Sequence, residues 1–246
     1  MHRIAIMQPY LFPYLGYFQL IGSVDAFWLL DDVQFIRHGW MNRNQLLTEG
    51  QVSSFTIPVT GSSHTTLIID KTFHADCITS LKKLKKTLEQ QYKNAPYRHI
   101  MIQLVEDLKY FMEARLPEPD FTDCTSFALE ACCDILGIDT PIYRTSSLNL
   151  SSSMRGANRI LAACKAIGAT DYVNMIGGKE LYSAKEFSEA NIQLHFLKQS
   201  FPRYPQCGIK ADKDFQPGLS ILDIIANIDA SQYSSHIHAG TVTAAI

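Results

Sequence analysis

The chain changes character three times within its first 23 residues, and that pattern constrains the fold more than any other feature. Arg3-Ile4-Ala5-Ile6-Met7 is a short apolar run of the kind that forms a buried strand. Pro9 to Tyr17 then holds two prolines, four aromatics and one glycine. Phe18–Ser23 reads as a helix. A plain strand-to-helix link needs only a few polar turn residues. A stiff, aromatic loop after a first strand fits the wall of a ligand site better, because open α/β sheets bind ligands beyond the carboxyl ends of their strands. The alternative is a hydrophobic loop tucked under the domain or into an oligomer interface.

The rest of the chain extends the α/β pattern. Ala26–Leu30 is expected to be a second strand, Gln51–Val59 a third, and Thr66–Ile69 a short fourth. Ile78, Leu81, Leu84, Leu88 and Tyr92 recur at helical spacing, and two further helices are expected over His99–Ala114 and Asp123–Leu136. Lys82-Lys83-Leu84-Lys85-Lys86 interleaves with the first of these faces and reads as a solvated surface. Pro141–Ser146, Asp171–Met175 and Ile192–Leu197 read as strands. Arg155–Ile167, Lys179–Ala190 and Leu219–Ile228 read as helices. The expected fold is α/β, with a mostly parallel Rossmann-like sheet and helices on both faces. Residues 1–74 and 138–230 form its core, 75–137 a helical insertion, and 231–246 a loose tail.

Composition narrows the function. The net charge is −2, so no broad positive field is available to hold a nucleic-acid backbone. No uncharged apolar stretch is long enough to span a membrane. The six cysteines form no Cys-x-x-Cys pair and read as buried free thiols, in keeping with a reducing cytoplasm. No signal-peptide pattern is present, because Pro9 and Pro13 break the first apolar run. No metal-ligand spacing occurs, and no cofactor is specified.

Several groups can carry chemistry. Pro13-Tyr14-Leu15-Gly16-Tyr17 stands where nucleotidylyltransferases carry His-x-Gly-His, with Tyr14 and Tyr17 in place of the imidazoles. A phenol with a pKa of ~10 cannot supply their positive charge. A related fold and a retained nucleotide-like pocket follow more readily than the same catalysis. Asp31 and Asp32 end the second strand; one of them can face a pocket and act as a base, with Tyr17 a third catalytic candidate. A capped, solvated strand end is the alternative. Trp40-Met41-Asn42-Arg43-Asn44 offers an aromatic plate, two amides and a guanidinium, a set suited to a sugar or a phosphate. Ser151-Ser152-Ser153-Met154-Arg155 precedes a helix and can form either an anion site or an ordinary serine cap.

Gln8 to Ile21, then Asp31-Asp32-Val33-Gln34-Phe35, then Gly39-Trp40-Met41-Asn42-Arg43-Asn44 together closely resemble the WbqC-like family. Thr56-Ile57-Pro58, Arg159-Ile160, Gly168-Ala169-Thr170-Asp171-Tyr172 and Leu219-Ser220-Ile221-Leu222-Asp223 agree, so the resemblance covers about residues 3 to 229. Members are bacterial and often encoded among genes for O-antigen and other surface polysaccharides. The resemblance implies a role in making or decorating a nucleotide-linked sugar.

Two readings result. In one, the protein is a transferase that moves an acyl, aminoacyl or nucleotidyl group to or from a nucleotide-linked amino sugar. Its catalytic candidates are Asp31, Asp32 and Tyr17. Its binding candidates are Gln8, Pro9, Tyr10, Tyr14, Gly16, Gln34, Trp40, Asn42, Arg43, Asn44, Ser153 and Arg155. In the other, the same pocket binds a nucleotide-sugar or a partner without catalysis. Either way the expected ligand is a phosphate-bearing small molecule, and a homo-oligomer is compatible with the sequence.

Overall fold

In a computed structural model that describes residues 2–61, 65–209 and 212–245, the apolar runs pair as a twisted α/β sheet. The first strand, β1 (Arg3–Met7), is followed by helix α1 (Leu15–Ile21) and then β2 (Ala26–Leu29). Next comes a hairpin of β3 (Arg43–Thr48) and β4 (Gln51–Thr56), and three helices, α2 (Cys77–Gln91), α3 (Arg98–Glu113) and α4 (Phe121–Leu136). The chain returns through β5 (Ile142–Arg144), α5 (Gly156–Ile167), β6 (Asp171–Met175), α6 (Ala184–Glu189) and β7 (Gln193–Lys198). It ends with α7 (Ile221–Asn227), α8 (Tyr233–Ile237) and β8 (Thr241–Ala244).

The main sheet runs β5-β2-β1-β6-β7-β8. The first five are mutually parallel and β8 lies antiparallel on β7. Numbering the parallel strands by their order in the chain gives 3-2-1-4-5. That order reverses between β1 and β6, and such a reversal opens a crevice at the carboxyl ends of the two strands. The loop after β1 emerges there.

Strand periodicity divides the core into two layers. Ala5, Phe27 and Val173 face one cluster, with α1, α2, α3, α4, α7 and α8. Ile4, Ile6, Ala26 and Tyr172 face the other, with α5 and α6. Helix ends follow the local sequence. The Asp120 carboxylate accepts the Asp123 N–H at 2.7 Å at the start of α4, and Gly137, at φ +70°, closes it in the left-handed conformation.

Four expectations are corrected. Gln51–Val59 is no third strand of the main sheet: Gln51–Thr56 pairs only with β3. The turn between them, Glu49-Gly50, has positive φ at both residues, the geometry that suits a two-residue hairpin. Thr66–Ile69 is no strand; it contributes a single bridge, Gln34 to Leu67. Lys179–Ala190 is split into a 3-10 segment at Ile176–Leu181 and the shorter α6, which begins after the capping hydroxyl of Ser183. The segment after Ser231 is not loose. Tyr233 and Ile237 are buried against the core, and Thr241–Ala244 extends the sheet by antiparallel pairing to His195–Lys198.

Candidate functional site

The loop that leaves β1 is tied down along its whole length. Its centre, Phe12, is fully buried and has φ +47°, a conformation that a bulky side chain rarely adopts. Such a residue persists only where its surroundings over-determine it. Here they do. The Phe12 carbonyl accepts from Asn44 Nδ2 at 2.7 Å and from the Ser220 hydroxyl at 2.8 Å. The Leu11 N–H donates to the Met41 carbonyl, and the Ile221 N–H to the Pro13 carbonyl, both at 2.8 Å. β3 and the start of α7 therefore clamp the loop between them.

The clamp forms one side of a cleft of about 220 Å³. Tyr10, Pro13 and Tyr14 come from the loop, Trp40, Asn44 and Gln45 from the entry to β3, Gln199 and Phe201 from the end of β7, and Gly218 from the turn before α7. Among the described residues, no charged side chain lines it. Tyr14 and Phe201 lie with ring centroids 6.1 Å apart, and Trp40, 45% exposed, stands at the mouth. Burial raises the pKa of both Tyr10 and Tyr14, which keeps each phenol neutral and able to donate a hydrogen bond. Gly16 leaves room for the observed position of Tyr14. A Cβ there would meet Tyr14 Cε2 at 2.4 Å and Gln199 Cβ at 3.2 Å.

The remaining sequence candidates are distributed elsewhere. Tyr17 is buried in the core, its ring 5.3 Å from Phe27, and its hydroxyl donates to the Gln8 carbonyl at 2.8 Å. Burial drives its pKa well up. That placement corrects the expectation that Tyr17 faces a ligand. Pro9 is buried, and the Asn42 amide is taken up by the Ile57 carbonyl at 2.8 Å. Gln34 is exposed outside the cleft wall. Arg43 lies just behind the wall. Its guanidinium sits 5.1 Å over the Trp40 ring and bonds the His38 carbonyl, while its Nε is enclosed without a hydrogen-bond partner. Ser153 bonds Ser151, and Arg155 bonds the Ser152 and Met154 carbonyls, so that segment is a locally closed turn.

Asp31 and Asp32 form a second, self-contained network. Both follow the last residue of β2, so strand alternation no longer separates them. The fully buried Asp31 carboxylate accepts from the Ser146 N–H at 2.9 Å and the Ser146 hydroxyl at 2.8 Å. Burial raises its pKa, against the lowering effect of these two bonds. Asp32 accepts from the Thr145 hydroxyl at 2.8 Å and from Arg159 Nη2 at 2.5 Å, and Arg159 Nη1 reaches the Ser151 carbonyl at 3.1 Å. Arg159, not Arg155, is the buried cation here. Neither aspartate lines the aromatic cleft.

Another buried carboxylate is not among the sequence candidates. Asp223, in the first turn of α7, accepts from the hydroxyls of Tyr92 and Tyr204, each at 2.7 Å, and from Gln206 Nε2 at 3.2 Å. It locks the 204–206 segment and the end of α2 onto the helix whose cap holds Phe12. The available signal was Ser220-x-x-Asp223, a helix-start pattern just before an apolar run.

Fold and site together define a Rossmann-like α/β protein with an aromatic cleft at the carboxyl edge of its sheet. Residues 8–235 match the WbqC-like protein family, and the chain belongs to it. The uncharacterized protein Rv1507c of Mycobacterium tuberculosis is 27% identical over 239 residues, covering 94% of this chain and 95% of that protein. No solved structure matches significantly. No helix among the described residues is long and apolar enough to cross a membrane.

Proposed function

We propose that the cleft holds the sugar ring of a nucleotide-linked sugar, and that the protein serves bacterial surface-polysaccharide synthesis by binding it. The observation that carries this reading is the wall itself: Tyr10, Tyr14, Trp40 and Phe201 with the amides of Asn44, Gln45 and Gln199, and no charge among the described residues. Aromatic faces with a few placed polar groups suit a neutral polyhydroxylated ring. The phosphates belong outside the wall. Arg43, partly exposed and stacked on Trp40, is the cation best placed to meet them.

Binding is favoured over transfer because the candidate bases are occupied. Asp32 is paired with Arg159, and Tyr17 is enclosed. A transfer reading would need Asp31 to reach the ligand, and Asp31 does not line the cleft.

Thermal-shift screening of nucleotides, free sugars and nucleotide-sugars tests the reading, since a ligand that binds only the folded state raises the melting temperature. Nucleotide-sugars should stabilise more than either half alone. Arg43→Ala should weaken the best of them about ten- to a hundredfold by calorimetry, the size of one charge-assisted contact. Stabilisation by no phosphate-bearing compound overturns the proposal. Turnover of a nucleotide-sugar with an acyl or aminoacyl donor, abolished by Asp31→Asn, would put the transfer reading first.

A further inference from the structure

The β3–β4 hairpin has one covered edge and one open edge. Its register pairs Thr48 with Gln51 and Leu46 with Ser53, and the Ile57 N–H donates to the Asn42 carbonyl. In that ladder the peptide groups of Gln45 and Leu47 point away from β4, and those of Val52, Ser54 and Thr56 point away from β3. The β3 side is occupied. The Ser220 N–H donates to the Gln45 carbonyl at 2.9 Å, and the Leu47 N–H to the Tyr92 hydroxyl at 3.2 Å. On the β4 side, Val52, Ser54 and Thr56 have no backbone partner among the described residues.

A groove of about 230 Å³ lies between the hairpin and α2, beside that open edge, with Leu46, Ile57 and Leu84 also lining it. Its walls are Ser53, Ser54, Phe55 and Thr56 on one side, and Ser80, Lys83 and Thr87 on the other. Lys83 is exposed, as are Lys82 and Lys86 on the same helix, and none of the three has a carboxylate partner among the described residues. Lys85 differs: it is paired with Glu106 at 2.7 Å.

We propose that this edge takes an extended, acidic segment of a partner protein, which adds as a third strand to β4. The open peptide groups supply the main-chain bonds, as strand addition requires. Exposed edges are otherwise guarded by short length, bulges or charge turned inward. Here the one charged side chain among the described residues lining the groove is the cation Lys83. That sign chooses the occupant. A second copy docked edge to edge would bring two lysine-rich helices together, whereas a segment carrying carboxylates beside its apolar residues pairs with them.

The test uses fluorescein-labelled decapeptides that alternate valine with glutamate, or valine with lysine, titrated into the full chain and read by anisotropy. The acidic peptide should bind saturably and the basic one should not. Lys83→Glu should weaken the acidic peptide about fivefold, the effect of one exposed ion pair. Ser54→Pro should abolish binding, because it removes an outward N–H at an edge position that tolerates proline. If that variant fails to fold, an acidic peptide N-methylated on the residues facing β4 replaces it and should not bind. Binding unchanged by Ser54→Pro or by N-methylation overturns strand addition. Failure of the acidic peptide to bind overturns the proposal, as does concentration-dependent dimerisation that Ser54→Pro abolishes.

Discussion

Asp223→Ala should be among the most destabilising single changes in this chain. The carboxylate is fully buried and accepts three hydrogen bonds, from Tyr92, Tyr204 and Gln206. Hydrogen bonds to a charged group contribute about 1.5–3 kcal/mol each, and each donor left buried and unpaired costs about 1–3 kcal/mol. These effects share one centre and do not add. Leaving the Tyr92 and Tyr204 hydroxyls and the Gln206 amide buried without their acceptor puts the loss at about 3–5 kcal/mol in all. For a chain of this length that is a fall in melting temperature of roughly 6–20 °C. Asp223→Asn keeps an acceptor in place, and the tyrosine hydroxyls can turn to accept from its amide, so its loss should be smaller.

Burial raises the Asp223 pKa above its unfolded value, against the lowering effect of the three donors. The folded state therefore binds the proton more tightly. The resulting stability is fully present below the unfolded pKa of ~3.9 and is lost as pH rises through the folded pKa. Asp223→Asn should flatten that slope. Urea denaturation of the three proteins across acidic to neutral pH measures both effects. A loss below about 1 kcal/mol for Asp223→Ala would refute the claim that this carboxylate organises α7 and, through Ser220, the β1 loop.

Two further predictions follow from the same packing. Gly16→Ala gains about 1 kcal/mol of helix propensity but forces the Tyr14 ring away from a Cβ at 2.4 Å, so stability by urea titration should change little while nucleotide-sugar binding falls. Unchanged binding would mean that Tyr14 does not need its observed position. The Asp171 pKa is lowered: burial pushes it up, but the bonds from Thr170 and His195 outweigh this. Its stability contribution is present above the unfolded pKa of ~3.9 and lost as pH falls through the folded pKa, so His195→Ala should reduce stability at neutral pH more than in strong acid, read by melting temperature against pH.

The parallel sheet was legible because its strands carry short apolar cores between turns. Ile4 to Met7 stands out as a short apolar run, and Tyr172-Val173 centres another short strand between turns. The hairpin was not legible. Arg43-Asn44-Gln45-Leu46-Leu47-Thr48 is held in place by Tyr92, Ser220 and Phe12, which are remote in sequence, and its turn places Glu49 where asparagine or aspartate would announce it. The C-terminal strand was missed for a related reason, since small and polar residues gain their place from pairing with β7. Half of the cleft could be read from the aromatic loop and Trp40. The rest, Gln199 and Phe201, follows β7 at the same sheet edge, and applying the carboxyl-edge rule to that strand would have flagged them. The Asp31–Asp32 pair looked like part of one site because consecutive strands share that edge, yet Ser146 and Arg159 hold it in a network of its own.

The chain has two tryptophans, and only Trp40 lines the cleft. In a Trp28→Phe background, Trp40 becomes the sole indole reporter of ring binding. Titration with the nucleotide-sugar that most raises the melting temperature should give a saturable change in its emission, with a midpoint matching the calorimetric affinity. A full calorimetric titration with no change in Trp40 emission would contradict the account, because the ligand would then be bound away from the aromatic cleft.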